Sequence, residues 1–195
     1  PIVQILEDQQ AALLLRVLVL KSLTRCCIYD TSGFLDEHHF SKLLDPLIEI
    51  MKSQNGEPED DQKDSALVTD AAIDDMIPSP EVRASLGVLA RYAIACISQM
   101  ATASGSNSES RWRPLHHAVL MVTRASHADA RLAALETTMA ICDALQEEYL
   151  TLLPEALPFL SELLEDEDPR VEKRTVEVLK KMEDVSGEDL KQYLQ

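Results

Sequence analysis

The chain has 195 residues, and its 34 acids against 18 Lys and Arg residues leave a net charge of −16 at pH 7. This balance argues against a protein whose main task is to grip nucleic acid, because Lys and Arg contacts with phosphates supply most of that affinity. Glycine (5 residues) and aromatic residues (4%) are scarce, and no segment alternates apolar and polar residues as strands do. The composition therefore predicts an all-α protein.

The first predicted element is a long apolar helix from Gln10 to Tyr29. Its apolar run, Leu13 to Leu20, contains Arg16 and is far shorter than the ~20 residues that span a membrane, so we interpret it as a buried core helix. It has the character of the second helix of a pair whose first helix is short or missing. Because the chain begins at Pro1 rather than at a methionine, we expect a fragment that lacks upstream repeats. The short capping helix predicted at residues 187–194 leads us to expect that the fragment ends at the natural carboxyl terminus.

The second predicted pair is interrupted by an acidic segment. Its first helix, Phe40 to Met51, contains a proline, and its partner runs from Pro80 to Ile97. Between Glu57 and Asp75 eight acids stand against one lysine. Such a stretch cannot bury enough apolar surface to order itself, so we predict a flexible acidic insertion at residues 53–80.

A small, polar segment at residues 102–110 predicts a flexible loop between consecutive repeats. After it, one helix is predicted from Trp112 to about Arg124 and a second from Ala130 to about Glu148, joined by a five-residue turn. Neither the loop nor the acidic insertion is interpreted as a domain boundary, so residues 1–195 are predicted to form a single domain.

The carboxyl-terminal run from Leu152 to Leu194 predicts two antiparallel helices and a short closing helix. Pro154 and Pro158 are placed where a helix begins, a position at which the missing N–H costs nothing. The acidic turn that follows ends with Asp168, an N-cap residue, and Pro169, a typical first helical residue.

The three complete pairs have similar turns and similar spacing. Aligning the start of each second helix puts Val82, Ala130 and Val171 in register, and the intervals of 48 and 41 residues are close to the ~40–47 of HEAT-type repeats. We therefore predict an α-solenoid of about four antiparallel helix pairs. An ordinary helical bundle with chance spacing is the alternative.

No catalytic, cofactor-binding or metal-binding residue is predicted, and the chain is predicted not to be an enzyme. The sequence contains no phosphate-binding glycine loop, nucleophile elbow or His-Glu-x-x-His motif. The four cysteines lack metal-type spacing and are interpreted as reduced, mostly buried thiols. His38-His39 and His116-His117 are adjacent pairs that diverge on a helix, so we interpret them as helix-entry or surface residues.

Charge suggests two candidate surfaces. Between Glu147 and Asp168 eight acids occur without a Lys or Arg, which is either a solvated surface or a docking site for a basic segment of another protein. The candidate docking residues are Glu162, Glu165, Asp166, Glu167 and Asp168. If the chain contacts RNA, the only cationic candidates are Arg111, Arg113, Arg124 and Arg131, and direct RNA contact is not expected.

The carboxyl-terminal ~45 residues resemble the end of the large HEAT-repeat scaffold of the small-subunit processome, the family of HEAT-repeat-containing protein one in the UtpA subcomplex. The residues that carry the resemblance are Leu153-Pro154-Glu155, Pro158-Phe159-Leu160, Glu162-Leu163, Glu165-Asp166-Glu167, Val171-Glu172, Gly187-Glu188, Leu190 and Tyr193.

The resemblance implies a non-catalytic nuclear and nucleolar scaffold in ribosome biogenesis. It would support processome assembly on nascent pre-rRNA and the rRNA processing that yields 18S rRNA. Its partners would be other UtpA proteins, with pre-rRNA bound through the full-length protein, and it implies no cofactor, no membrane and no small-molecule substrate. A nuclear transport receptor or a phosphatase scaffold, also built from HEAT repeats, is the alternative, and an enzyme-associated helical domain is a second rival.

Overall fold

The structure is a computed structural model and describes residues 2–30, 33, 35–53, 76, 80–104 and 109–193. Every regular element in these residues is helical. In chain order the α-helices are α1 (Ile2–Glu7), α2 (Leu13–Ile28), α3 (Glu37–Lys52), α4 (Pro80–Ser85), α5 (Val88–Ser104), α6 (Glu109–Val122), α7 (Ala128–Leu145), α8 (Leu153–Leu163) and α9 (Pro169–Ser186). Two 3₁₀ helices, Gln146–Thr151 and Leu190–Tyr193, precede α8 and follow α9.

The helices form two layers. In one layer α2, α5, α7 and α9 pack side by side in that order, and in the other α1, α3, α6 and α8 do the same. Each helix of the second layer also packs against its partner in the first, which gives the pairs α1–α2, α3–α5, α6–α7 and α8–α9. Because each pair contacts chiefly its neighbours in the stack, the described residues form the predicted α-solenoid.

The predicted repeat register is confirmed. Val82, Ala130 and Val171 each follow the first residue of α4, α7 and α9 by two positions, and all three are buried in one continuous core. The helix predicted from Pro80 to Ile97 is instead broken into α4 and α5 at Leu86-Gly87.

Prolines recur inside the layer of α3, α6 and α8, at Pro46, Pro114 and Pro158. Our prediction that Pro158 begins a helix is wrong, since only Pro154 lies in the first turn of α8. Pro158 removes the N–H that would bond to the carbonyl of Pro154. Both prolines are exposed, so water can satisfy that carbonyl.

Two predicted segments lie partly outside the described residues. Of the acidic insertion at 53–80, residues 54–75 and 77–79 are not described, so its flexibility stays a prediction. Of the loop predicted at 102–110, residues 102–104 belong to α5 and residues 109–110 to α6, while residues 105–108 lie outside the described residues.

The apolar run of α2 is less buried than predicted. Leu13, Leu15 and Leu18 are 37–44% exposed. Since α2 is the first helix of its layer, α5 covers only one side of it, and the other side stays open.

Replacing Asp168 with alanine is expected to lower the free energy of unfolding by about 1 kcal/mol. The Asp168 carboxylate accepts a hydrogen bond from the Arg170 backbone N–H at 2.9 Å and so caps α9. Asp168→Asn, which keeps the acceptor oxygen, should lose much less. Urea unfolding followed by circular dichroism would measure both, and an equal loss in the two variants would show that charge rather than capping matters here.

Candidate functional site

The candidate docking acids lie at the end of α8 and in the turn that joins it to α9, and much of this turn binds the neighbouring helix pair. The Asp166 carboxylate accepts a hydrogen bond from Arg131 Nη2 at 2.8 Å and another from the Asp168 backbone N–H at 2.9 Å. The side chains of Arg131 and Asp166 are only 8% and 7% exposed. Arg131 also donates to the carbonyls of Ala125 and Ser126, so it joins two successive turns of the solenoid.

Asp168, like Asp166, forms an ion pair with an arginine. Arg170 lies 2.8 Å from Asp168 and 3.1 Å from Asp129, which is in the first turn of α7. The hydrogen bond from the Arg170 guanidinium is the main cause that lowers the pKa of Asp168. This carboxylate is therefore already paired within the chain.

Glu162 pairs with Arg124 across the layer of α6 and α8. Arg124 Nε donates to Glu162 at 2.9 Å and a second guanidinium nitrogen bonds the other carboxylate oxygen, while the guanidinium also lies 4.3 Å from the centre of the Phe159 ring. The bond from Arg124 lowers the pKa of Glu162. Of the five candidate acids, Glu165 and Glu167 are exposed, and in the described part of the chain neither carboxylate lies within hydrogen-bond distance of a donor.

The candidate RNA-contacting arginines do not form one cationic surface. Arg124 and Arg131 pair with the candidate docking acids, so the two predicted surfaces meet and partly neutralise each other. Arg111 donates to the Leu35 carbonyl at 2.9 Å, and Arg113 is exposed on α6. RNA contact through these residues stays a prediction.

Four pairs of polar side chains join successive helix pairs at one constant separation, 38 residues. They are His117–Glu155, Arg124–Glu162, Glu136–Arg174 and Asp143–Lys181. Two of these pairs connect α6 with α8 and two connect α7 with α9. The same offset recurs in both layers because the last two helix pairs lie side by side in the same order, as in a solenoid. A search for opposite charges at this offset could have found the pairs in the sequence.

The pair between Glu136 and Arg174 is the most buried of the four. Their side chains are 1% and 8% exposed, and Arg174 Nη2 lies 2.7 Å from a Glu136 carboxylate oxygen. Arg174 also bonds Glu177 in the next turn of α9. In a poorly hydrated interior each charge needs the other, so this pair ties the stacking of α7 and α9 to one register.

The surface position predicted for His116 is wrong. This side chain is fully buried, with Nε2 2.9 Å from the Tyr149 hydroxyl and the two rings in an edge-to-face arrangement. Burial lowers the pKa of His116 to about 4 and raises that of Tyr149. Neither side chain can reach a substrate, because Tyr149 is 1% exposed as well. Its neighbour His117 is exposed and pairs with Glu155 at 2.7 Å.

The remaining candidate chemistry is sparse. All four cysteines are free, and burial raises the pKa of Cys142 to about 11. Within the described ranges, no group of three or more His, Cys, Asp or Glu residues is placed to hold a metal ion. Among those same residues, no helix has the length and apolarity to cross a membrane.

Comparisons with known proteins identify the family. No family model matches the chain. It is 33% identical over 189 residues to the HEAT repeat-containing protein 1 homolog of Dictyostelium discoideum and 30% identical over 187 residues to HEAT repeat-containing protein 1 of Homo sapiens. Each alignment covers 96% of the chain. The chain belongs to the HEAT repeat-containing protein 1 family.

The resemblance noted in the carboxyl-terminal residues is thus confirmed and extends over most of the chain. The HEAT repeat-containing protein 1 family includes a relative called U3 small nucleolar RNA-associated protein 10 in Pyricularia oryzae, which is 31% identical over 91% of the chain. The chain spans only 7–8% of the length of these three relatives. It therefore corresponds to one segment of a HEAT repeat-containing protein 1.

Proposed function

We propose that this segment belongs to a non-catalytic scaffold in ribosome biogenesis. In this proposal the parent protein supports assembly of the small-subunit processome on nascent pre-rRNA and maturation of 18S rRNA, in the nucleolus. The observation that carries the proposal is the match of 91% of the chain to a relative named for its association with U3 small nucleolar RNA. A stacked solenoid suits the role because it offers a long ordered surface to several partners.

Within that scaffold the segment acts as a protein-docking end, with other UtpA proteins as its partners. The net charge of −16 disfavours binding to phosphates. Two of its four candidate RNA-contacting arginines are neutralised by carboxylates. Pre-rRNA is therefore bound through other parts of the full-length protein.

A HEAT adaptor of another class, such as a nuclear transport receptor or a phosphatase scaffold, would have the same two-layered architecture. The names of the relatives support the ribosome biogenesis role, since they combine HEAT repeats with U3 small nucleolar RNA. Fold alone could not separate these classes.

A pull-down from nucleolar extract tests the proposal. With the immobilised chain as bait, we expect processome proteins to be retained, and to be retained equally after RNase treatment, because the contacts are between proteins. Mass spectrometry with and without RNase measures this. Recovery of transport or phosphatase factors in place of processome proteins would contradict the proposed role.

Two variants separate the candidate surfaces in the same assay. Glu165→Lys with Glu167→Lys reverses the two exposed acids of the turn, whereas Arg111→Glu with Arg113→Glu removes the cationic candidates on α6. We expect the first variant to reduce recovery and the second to leave it unchanged. Loss of partners in the second variant and after RNase would mean that RNA mediates the contacts.

A further inference from the structure

An apolar groove of about 710 Å³ runs along α8 at the carboxyl-terminal end of the stack. Its walls come from α8 and from the 3₁₀ helices that precede α8 and follow α9. Leu150, Leu153, Leu157 and Pro158 provide much of its apolar surface, and Tyr193 and Glu188 complete it. Leu150 and Tyr193 are 39% and 55% exposed, so the groove is open to solvent.

The groove lies along the one face of α8 that no other α-helix covers in the described part of the chain. Glu155, Phe159 and Glu162 face α6, where they contact His117 and Arg124. A second face is buried in the core, and its residues are Ala156, Leu160 and Leu163. At 100° per residue the groove residues of α8 lie on the third face.

In the earlier helices of this layer, the corresponding face is covered by the next helix. The helix α6 packs against α3, and α8 packs against α6. Because no later helix of this layer lies among the described residues, the open apolar face of α8 has the geometry to receive one more helix.

A single helix fits better than another complete pair. The last helix of the other layer, α9, presents mainly charged side chains to solvent, including Glu172, Lys173 and Lys180, with Val176 as the exception. Burying such charges against a further helix would be costly. At this end of the described stack, the open apolar face therefore belongs to the layer of α8.

Charge defines the kind of helix. Glu188 lines the groove. Glu147 is exposed and lies three residues before Leu150, a spacing that puts Glu147 and Leu150 on one side of a 3₁₀ helix. A second copy of the chain is a poor occupant, because each copy carries a net charge of −16.

We propose that this groove binds a basic amphipathic helix of another protein, with its apolar stripe against Leu150, Leu157 and Pro158 and its Lys or Arg residues near Glu147 and Glu188. The inference rests on the proposed docking role and adds an apolar surface to the acidic turn of Glu165 and Glu167. Helix-in-groove binding of this kind uses apolar anchors at i, i+3, i+4 and i+7.

A model peptide tests the groove directly. The probe is a fluorescent helix of about 18 residues, or ~27 Å, with leucines at that spacing and lysines elsewhere. A matched peptide with glutamates in place of the lysines tests charge. We expect the basic peptide to bind the 195-residue chain and the acidic peptide to bind at least about tenfold more weakly, measured by fluorescence anisotropy.

Substitutions locate the binding. Leu150→Glu combined with Leu157→Glu should weaken the basic peptide at least about tenfold, although the added charge alone would attract it. The matched control is Leu15→Glu combined with Leu18→Glu, at exposed leucines of α2 at the opposite end of the stack, and it should bind as the unmodified chain does. Helical circular dichroism verifies that both variants fold. Equal binding to the groove variant and the control would overturn the inference, since general charge attraction would then explain it.

The pull-down separates this inference from the proposed function. If processome proteins are retained by the unmodified chain and lost by the groove variant, the inference is supported. If both retain them, the groove is not the docking surface but the scaffold role stands. Retention by neither, together with groove-dependent peptide binding, would contradict the proposed function and leave the groove as a helix-binding site.

Discussion

Glu136→Ala is expected to lower the free energy of unfolding by about 3–5 kcal/mol, the cost of breaking a buried ion pair. The substitution leaves the Arg174 guanidinium 8% exposed and without the carboxylate that lies 2.7 Å away. Glu177, which also bonds Arg174, is 43% exposed and compensates part of the charge. Urea unfolding of the variant and the unmodified chain, followed by circular dichroism, measures the loss.

The matched control is Asp143→Ala. Asp143 and Lys181 join the same two helices at the same separation, but their side chains are 48% and 33% exposed. A pair so well solvated contributes at most about 1 kcal/mol. If both variants lost equal stability, burial would not be the reason that Glu136 matters.

A double substitution separates the charge from the shape. Glu136→Leu combined with Arg174→Met removes both charges and should recover most of the lost stability, because apolar groups of similar volume avoid the cost of desolvating ions. A double variant as unstable as Glu136→Ala would mean that the hydrogen bonds, rather than an uncompensated charge, hold α7 against α9.

The chain should lose about 3 kcal/mol of stability as the pH falls from 6.5 to about 4, because of His116. Burial among α6 and its neighbours lowers the pKa of His116 from 6.5 to about 4 in the folded chain. Between these values the unfolded chain binds a proton that the folded chain excludes, so acid favours unfolding. The stability that depends on neutral His116 is fully present above pH 6.5 and is lost as the pH falls through about 4. Urea unfolding at several pH values measures the dependence.

His116→Gln should flatten that pH dependence, even if it lowers stability at neutral pH by disturbing the bond to Tyr149. An unchanged slope in His116→Gln would show that groups other than His116 cause the acid sensitivity.

Local chemistry accounts for the features that were predicted correctly. Asp168 and Pro169 begin α9 because a capping carboxylate and a preset φ need only their immediate neighbours. The structure adds that Gly187 ends the same helix with φ of +70°, a backbone conformation that costs glycine least. The recurrence of these turns at intervals of 48 and 41 residues was enough to indicate HEAT-type repeats.

The predictions that are wrong concern the burial and pairing of side chains that contact the next helix pair. The divergence of adjacent histidines on a helix predicts helix-entry or surface positions for both, yet α6 buries His116 against Tyr149 and leaves His117 exposed. Charge alone predicts separate surfaces for the acids of the turn after α8 and the arginines of the pair α6–α7. Stacking brings them together across 35–38 residues.

Most of the helices, the cap of α9 and the repeat could be predicted from the sequence, because apolar periodicity and turn residues act over a few positions. Which helix faces are covered depends on how the helix pairs stack. Leu18 and Leu20 lie in one apolar run, but α5 buries Leu20 and leaves Leu18 44% exposed. The open groove along α8 has the same origin, since a face is buried only where the solenoid places another helix against it.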